Sequence, residues 1–379
     1  MVVESVATRG FRNLADGEVG LEAGINLAWG PNAAGKTNLL EALYAGLAGR
    51  SCRTSNDREA IRFEAPLARA VTTVADGTER RAFACAISRA EGRHHRIDGI
   101  AATGDHLQLR PTLTVFMPDR LVLIKGPPGA RRAHLDRFAA ALWPARSESR
   151  RRYGRALAQR NALLARVRAG AAESSSLDAW DVELADAGAE LIDARSAAAG
   201  LLAPPFAQAC DELGLEGEAQ LAYAPRAETA DPTELARELG DRRAADLARG
   251  FTTWGPHLDE LALRLDRRAL RRYGSQGQQR IAVLGLLFAE RAALLEEGRP
   301  PPLMLLDDVA SELDVERRRL LCARLDSGGG QALLTATEPD QIPAQRRNEI
   351  ALRAGRPISP IRDRDAADAA ESAFAADAA

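Results

Sequence analysis

The sequence predicts an α/β fold, a mixed-sheet head with a small helical lobe inserted in the middle of the chain. Three observations carry this. At both ends, short apolar runs alternate with helical periodicity, from Val2 to Leu47 and again after Phe251. In the middle, strand signals fade and an apolar 3-4 spacing holds from Leu177 to Leu201. Between an apolar run and a helix-like one stands the glycine-containing loop from Gly30 to Thr37.

Residues 2–7 read as a short strand, and residues 25–29 as a second that runs into Gly30-Pro31-Asn32. From Lys36 onward Leu39, Leu40, Leu43 and Leu47 recur at helical spacing. Residues 71–74 and 82–87 flank Asp76-Gly77, a hairpin turn signal. Residues 150–167 read as a helix with Leu157, Leu164 and Val167 on one side. Gly170 stops it, and Ser174 to Ser176 offer N-caps for the next helix. That helix carries Leu177, Trp180, Leu184, Ala187, Leu191, Ala194, Ala198 and Leu201 as a heptad seam. The pair reads as an antiparallel helical arm; the alternative is two helices that merely cover the sheet. After Phe251 come an apolar helix (281–295), a buried strand (303–306), a helix (316–325) and a strand (332–335). Residues 363–379 are rich in Ala and Asp, with little to bury, and are expected to be disordered. The expected domains are 1–140 and 251–360 as the two parts of the head, 141–250 as the helical lobe, and 361–379 as a tail.

With 379 residues, 46% of them apolar, the chain can bury a sizeable core and more than one domain. Aromatics are only 4%, so Leu, Val and Ala must do most of the packing. The formal net charge of -2 does not advertise nucleic-acid binding, so any such contact must come from local patches. Arginine supplies nearly all positive charge, because Lys36 and Lys125 are the sole lysines. Cys52, Cys85, Cys210 and Cys322 form neither a CxxC pair nor a zinc spacing, which suits a reduced cytoplasm. The first ten residues hold no signal-peptide core, and no run approaches the roughly 20 apolar residues of a membrane span. A soluble, cytoplasmic protein without membrane attachment is expected.

Gly30-Pro31-Asn32-Ala33-Ala34-Gly35-Lys36-Thr37 fits GxxxxGK[ST]. Backbone N–H groups of such a loop wrap phosphate oxygens, and the following helix adds its positive end. Lys36 would reach the β- and γ-phosphates of ATP, and the Thr37 hydroxyl would bind Mg2+. Residues 303–306 end in Asp307-Asp308, at the carboxyl end of a buried strand, where open α/β sheets bind ligands. Asp307 would hold Mg2+ directly or through water, and Asp308 would orient or polarise the attacking water, so Asp308 and Lys36 are the candidate catalytic residues. Ser275-Gln276-Gly277-Gln278, before an apolar helix, resembles the ABC-ATPase signature, which in that superfamily caps the γ-phosphate bound to another subunit. Ser311-Glu312-Leu313-Asp314 stands where a D-loop belongs and can equally be a helix N-cap. Thr335 or Thr337 stands where ABC ATPases place a switch histidine.

The match extends beyond the superfamily. Phe11-Arg12-Asn13, Gly35-Lys36-Thr37-Asn38-Leu39-Leu40-Glu41-Ala42, Phe116-Met117-Pro118-Asp119, Lys125-Gly126-Pro127-Pro128, Gly255-Pro256-His257 and the segments around Ser275 and Asp307 resemble, in order, the RecF family. These are bacterial recombination-mediator ATPases related to the SMC proteins. The resemblance implies an ABC-type head that dimerises around ATP and binds double-stranded DNA at junctions with single strands. It implies action with RecR and RecO in loading recombinase for repair and replication restart, and a slow ATPase acting as a switch. It adds Arg12, Asn38 and Asp314 to the expected nucleotide contacts. Ala33 stands where the family more often has Gly, a change expected to be tolerated if φ there is negative. Leu258 replaces a usual Arg and Glu260 a usual Asp. His257 is expected to be a structural polar residue. The arginine groups 131–132, 150–152, 242–243, 267–272 and 317–319 are candidate phosphate contacts, each more often a solvated helix face. The second function class is an ABC transporter's nucleotide-binding subunit, and an ATP-driven nuclease head ranks below it.

Overall fold

The computed structural model describes residues 1–103, 109–146 and 148–358. Two compact units divide the chain: Met1–Pro118 together with the chain from Gly298 onward, and Asp119–Glu297. The boundaries expected at 140 and 250 both fall inside the second unit, and the tail expected at 361–379 lies outside the described residues.

The first unit begins with β1 (Val2–Arg9), β2 (Gly17–Gly20), β3 (Ile25–Trp29), α1 (Lys36–Ala48), β4 (Leu67–Asp76), β5 (Glu79–Ser88), β6 (Gly92–Ile97), β7 (Ile100–Ala101) and β8 (Leu113–Phe116). The second unit holds α2 (Val122–Lys125), α3 (Pro128–Leu142), α4 (Ser149–Arg168), α5 (Asp178–Glu212), β9 (Ala219–Ala224), α6 (Pro232–Asp241), α7 (Arg243–Arg249), β10 (Glu260–Leu265), β11 (Arg268–Ala269), α8 (Leu270–Tyr273) and α9 (Gln276–Glu296). The chain then returns to the first unit with β12 (Leu303–Leu306), α10 (Val315–Ser327), β13 (Ala332–Ala336), β14 (Asn348–Arg353) and β15 (Arg356–Pro357).

Two sheets build the first unit. One is antiparallel in the order β2-β1-β4-β5-β6-β7, with the β4–β5 hairpin turning at Gly77-Thr78, one residue past the expected Asp76-Gly77. The other has the order β15-β14-β3-β13-β12-β8 and is parallel except at β15. β3 sits centrally in it, which suits its near-continuous apolar run. Leu39, Leu40, Leu43 and Leu47 of α1 are buried in one core with side chains from both sheets. Gln331 ties the sheets together: its side-chain amide donates to the Val3 and Glu22 carbonyls and its oxygen accepts from the Val3 N–H. The parallel strands β3, β12 and β13 all point their carboxyl ends to one edge, where Gly30, Asp307 and Thr337 follow.

In the second unit the expected helical pair is α4 and α5. Leu184, Ala187, Leu191, Ala194 and Ala198 are buried along α5, as the heptad spacing requires. α5 also packs on α3, α6, α9 and β9, so it is the centre of its unit as well as half of a pair. Ser174 to Ser176 do not cap it; they form a 3-10 turn, and α5 starts without a side-chain cap. The helix runs on through Pro204 and Pro205 to Glu212. Proline there disrupts helical hydrogen bonding, and burial of Pro205, Phe206, Ala209 and Cys210 outweighs that penalty. The buried residues of α4 are Ser149, Tyr153, Ala156, Arg160 and Leu164. Arg160 is fully buried and donates to Asp181 at 2.6 Å, Asp246 at 2.7 Å and Thr252 at 2.8 Å.

Candidate nucleotide site

The loop from Gly30 to Thr37 leaves β3 and opens α1. Gly30 has φ +151°, and a Cβ there would stand 2.2 Å from the Leu352 carbonyl oxygen, so no side chain fits. Gly35 caps α1 with φ +104°, and no side chain bonds the helix's first N–H groups. Those donors and the positive end of α1 therefore face the loop unspent, an anion site by construction. Asn13 donates to the Ala33 carbonyl at 2.9 Å and accepts from Asn38 at 2.7 Å, bracing the loop from outside.

Ala33 has φ +64°, which overturns the condition on which it was expected to be tolerated. A left-handed Ala carries about 1–2 kcal/mol of strain. Against this stands about 0.4–1 kcal/mol for the looser unfolded chain that a Gly brings. Ala33→Gly is therefore expected to stabilise the protein by up to about 1.5 kcal/mol. A rise in the denaturant midpoint would agree with this, and a fall would show that the turn holds no strain.

Lys36 is buried, and its Nζ donates to the carbonyls of Gly30 at 2.8 Å and Pro31 at 3.1 Å. Burial lowers its pKa, while Asp308 and Asp307 pull it back up. Thr37 Oγ1 donates to Asp307 at 2.9 Å, which brings the two expected metal residues together. Asp307 is buried, and burial raises its pKa against hydrogen bonds from Thr335 and Thr37 that lower it. A divalent cation between these oxygens would reverse that balance. Asp308 has φ +48°, a sparsely populated conformation of the kind that persists where the surroundings impose it.

Thr335 separates from Thr337 here. Its hydroxyl donates to Asp307 Oδ1 at 2.8 Å and accepts the Asp308 N–H at 2.8 Å, so one side chain orients both acids. Thr337 turns away to Gln341 at 3.0 Å. Thr335→Val keeps the volume and strands the Asp308 N–H, at a cost of about 1–3 kcal/mol. Thr335→Ser is expected to restore most of that in the same unfolding measurement, and equal losses from both variants would assign the cost to packing.

A cavity of about 1010 Å³ opens above these groups, and Arg12, Asn32, Ala33, Ala34, Gly35, Lys36, Thr37, Asn38, Asp308 and Thr335 are among its lining residues. Arg12 lies at its wall, held by Glu41 through contacts of 2.8 and 3.0 Å; Arg53 and Ser51 share that buried carboxylate. The sequence reading missed other parts of the wall, Arg53, Asn56, Arg58, Arg62, Phe63 and Arg89 among them. They come mostly from an irregular segment after α1 that carries no motif, and its density of arginines was the available signal. Among the described residues no cluster of three His, Cys, Asp or Glu could hold a metal by itself. The pair Thr37–Asp307 suits Mg2+, which keeps several waters and takes one or two protein oxygens beside phosphate.

Ser275, Gln276, Gly277, Gln278 and Asp314 are not among this cavity's lining residues. Ser275 caps α9 in a capping box with Gln278, and Ser275 and Gln276 are exposed while Gly277 and Gln278 are half-buried. Asp314 caps α10 by accepting the Arg317 N–H at 2.9 Å, so the N-cap role holds. Half-buried His257 donates from Nε2 to the Thr252 carbonyl at 3.1 Å and meets the Tyr153 hydroxyl through Nδ1 at 2.7 Å; partial burial lowers its pKa, a structural arrangement. Glu260 pairs with Arg131 at 2.7 Å. Arg131 is buried by that pair, which removes it from the candidate phosphate contacts.

Residues 2–352 match the model of the RecF/RecN/SMC N terminal domain. The chain is 35% identical over 365 residues to the DNA replication and repair protein RecF of Heliobacterium modesticaldum, covering 90% of this chain and 95% of that one. It is 39% identical over 362 residues to the RecF protein of an Anaeromyxobacter species, covering 89% and 93%. A solved structure of the recombination mediator protein RecF with ATP superposes with a TM-score of 0.82 at 26% identity, covering 94% of this chain and 96% of that one. An SMC head bound to a ScpA domain shares the fold at 14% identity, with a TM-score of 0.59. Relatives named as repair proteins do not favour the transporter reading. With the P-loop, the paired acids and the two-sheet head matched across nearly the whole chain, the protein belongs to the RecF family.

Proposed function

We propose that this chain binds Mg-ATP in the cavity above α1 and uses it to close a homodimer on DNA during recombinational repair and replication restart. The observation that carries the reading is the contact of Thr37 with Asp307, which joins the P-loop to the acids after β12. Lys36 and the free N–H groups of α1 would hold the β- and γ-phosphates, with Arg12, Asn38 and residues 30–37 around them. Thr37 and Asp307 would hold Mg2+, and Asp308 would orient the attacking water. Ser275, Gln276, Gly277 and Gln278, with Asp314, would meet the nucleotide of a second copy. Hydrolysis would be slow and reset the dimer, with duplex DNA beside a single-strand gap as the platform and RecR and RecO as partners. Support comes from the family and from a relative's structure described with ATP in the RecFOR pathway.

Light scattering with and without Mg-ATP, each with and without gapped duplex, tests this. An ATP-dependent shift to a dimer, strengthened by DNA, is expected. Ser275→Arg is expected to keep nucleotide affinity and lose the dimer, because it puts bulk and charge at an exposed helix start. A Ser275→Arg protein that still dimerises with ATP would remove Ser275 from the seam.

A further inference from the structure

Among the described residues, the arginine groups are not equal. Arg131 pairs with Glu260, and Arg132 donates to the Asp259 carbonyl. Arg150, Arg151 and Arg152 face Asp136, Glu148, Glu183 and Glu190. Arg242 and Arg243 are held by Glu238, Asp178 and Asp181. Arg317 pairs with Asp314, the cap of its helix, Arg319 with Glu316 on the same helix, and Arg318 donates to the Ala310 and Leu313 carbonyls. Arg264, Arg267, Arg268, Arg271 and Arg272 are different: all are exposed, and none has a carboxylate within ion-pair distance among the described residues. Asp266 is the sole acid between Glu260 and Glu290, and it accepts the Glu218 N–H at 2.8 Å.

The geometry points to the β10–β11 hairpin and α8 as the surface that holds the DNA phosphate backbone, with Tyr273 stacking on an unpaired base. This rests on the DNA-binding reading above and assigns it a place. Asp266 and Arg267 both have positive φ, 49° and 64°, so the tight turn lifts Arg267 to the hairpin tip. Tyr273 is 67% exposed beside Arg271 and Arg272, an aromatic face set among cations. Uncompensated guanidinium groups suit phosphates, since no intramolecular ion pair must break first. The surface is also wired to the signature. Leu270 is fully buried, and its carbonyl accepts the Gln279 side chain at 2.9 Å and the Gly274 N–H at 3.1 Å. DNA held by α8 therefore bears on the first turn of α9, where Ser275 is the cap.

Fluorescence anisotropy with the full chain, on a labelled duplex and on the same duplex with a single-strand gap, tests the surface across a salt series. The combined Arg267→Ala, Arg268→Ala, Arg271→Ala and Arg272→Ala protein is expected to bind duplex at least about tenfold more weakly at low salt. Its slope of log affinity against log salt should be shallower by about 3–4. The matching four Arg→Lys changes should keep the slope, which separates lost contacts from a misfolded hairpin. Tyr273→Ala should spare duplex binding and weaken gapped DNA about fivefold or more. ATP binding, carried by the first unit, should be unchanged in all three proteins. An alanine protein with wild-type slope overturns the assignment while leaving the repair reading intact. Equal weakening of both substrates by Tyr273→Ala overturns the stacking. Absence of DNA binding by the unaltered protein overturns both the assignment and the reading beneath it.

Discussion

Lys36→Ala is expected to abolish measurable Mg-ATP binding, at least a hundredfold loss, while Lys125→Ala leaves affinity unchanged. The two substitutions remove the same charge from the chain's two lysines, so any difference is a matter of place. Lys36 Nζ is buried under the loop at 2.8 Å from the Gly30 carbonyl, beside the unspent N–H groups of α1. Two charge-assisted bonds to phosphate are worth about 1.5–3 kcal/mol each, and their loss is a factor of a hundred or more. Lys125 is exposed at the end of α2 in the other unit. Titration calorimetry decides: a Lys36→Ala protein that binds Mg-ATP normally would show that the lysine keeps its carbonyl partners and never meets the nucleotide. Lys36→Met fills more of the space and guards against a collapsed loop.

Arg160→Leu is expected to destabilise the second unit by about 3–5 kcal/mol, the cost of removing one partner from buried charges. Arg160 bridges Asp181 and Asp246, both buried with it, and also donates to Thr252. Asp181 keeps Arg243, but Asp246 is left with the Thr253 N–H and hydroxyl and, among the described residues, no other ion-pair partner. Arg160→Lys should lose less, because an ammonium keeps the charge but cannot span both acids with the planar fork. Denaturant unfolding measures the effect, and a loss under about 1 kcal/mol from Arg160→Leu would mean that the acids find water or protons instead.

That arginine also marks where the sequence stopped being legible. Its neighbours on α4 were read as a helix, but the buried positions turn on Tyr153, Ala156 and Arg160, not on Leu157 and Val167, which are half-buried. A charged residue at a core position is invisible to hydrophobic periodicity, because its partners come from α5 and α7 at distant places in the chain. The strands were legible for the opposite reason. Leu303–Leu306 is apolar throughout and Ile25–Trp29 is apolar but for Asn26, as central parallel strands tend to be, and their ends fall where the runs end. The acids and the P-loop lie in short local patterns whose spacing encodes their geometry. The choice between Thr335 and Thr337 was not local: it depends on the pleat of β13 and on Asp307 across the ladder. The conformation of Ala33 was likewise set by what braces the loop, Asn13 among them.

The placement of β3 has a consequence for how the molecule is born. Its strand partners are residues 332–336 and 348–351, more than three hundred positions away in the chain. At ribosomal speeds of about 5–20 residues per second, Ile25 and Leu27 wait roughly 15–60 s for those neighbours to be made. The contiguous unit from Asp119 to Glu297 can meanwhile fold from its own local contacts. A polypeptide cut off before Leu303 would carry an intact P-loop sequence on an apolar strand with nothing to pair with, a target for chaperones and proteases. The loop from Gly30 to Thr37 therefore gains its seat only after β12, β13 and β14 have been made to hold β3 in place.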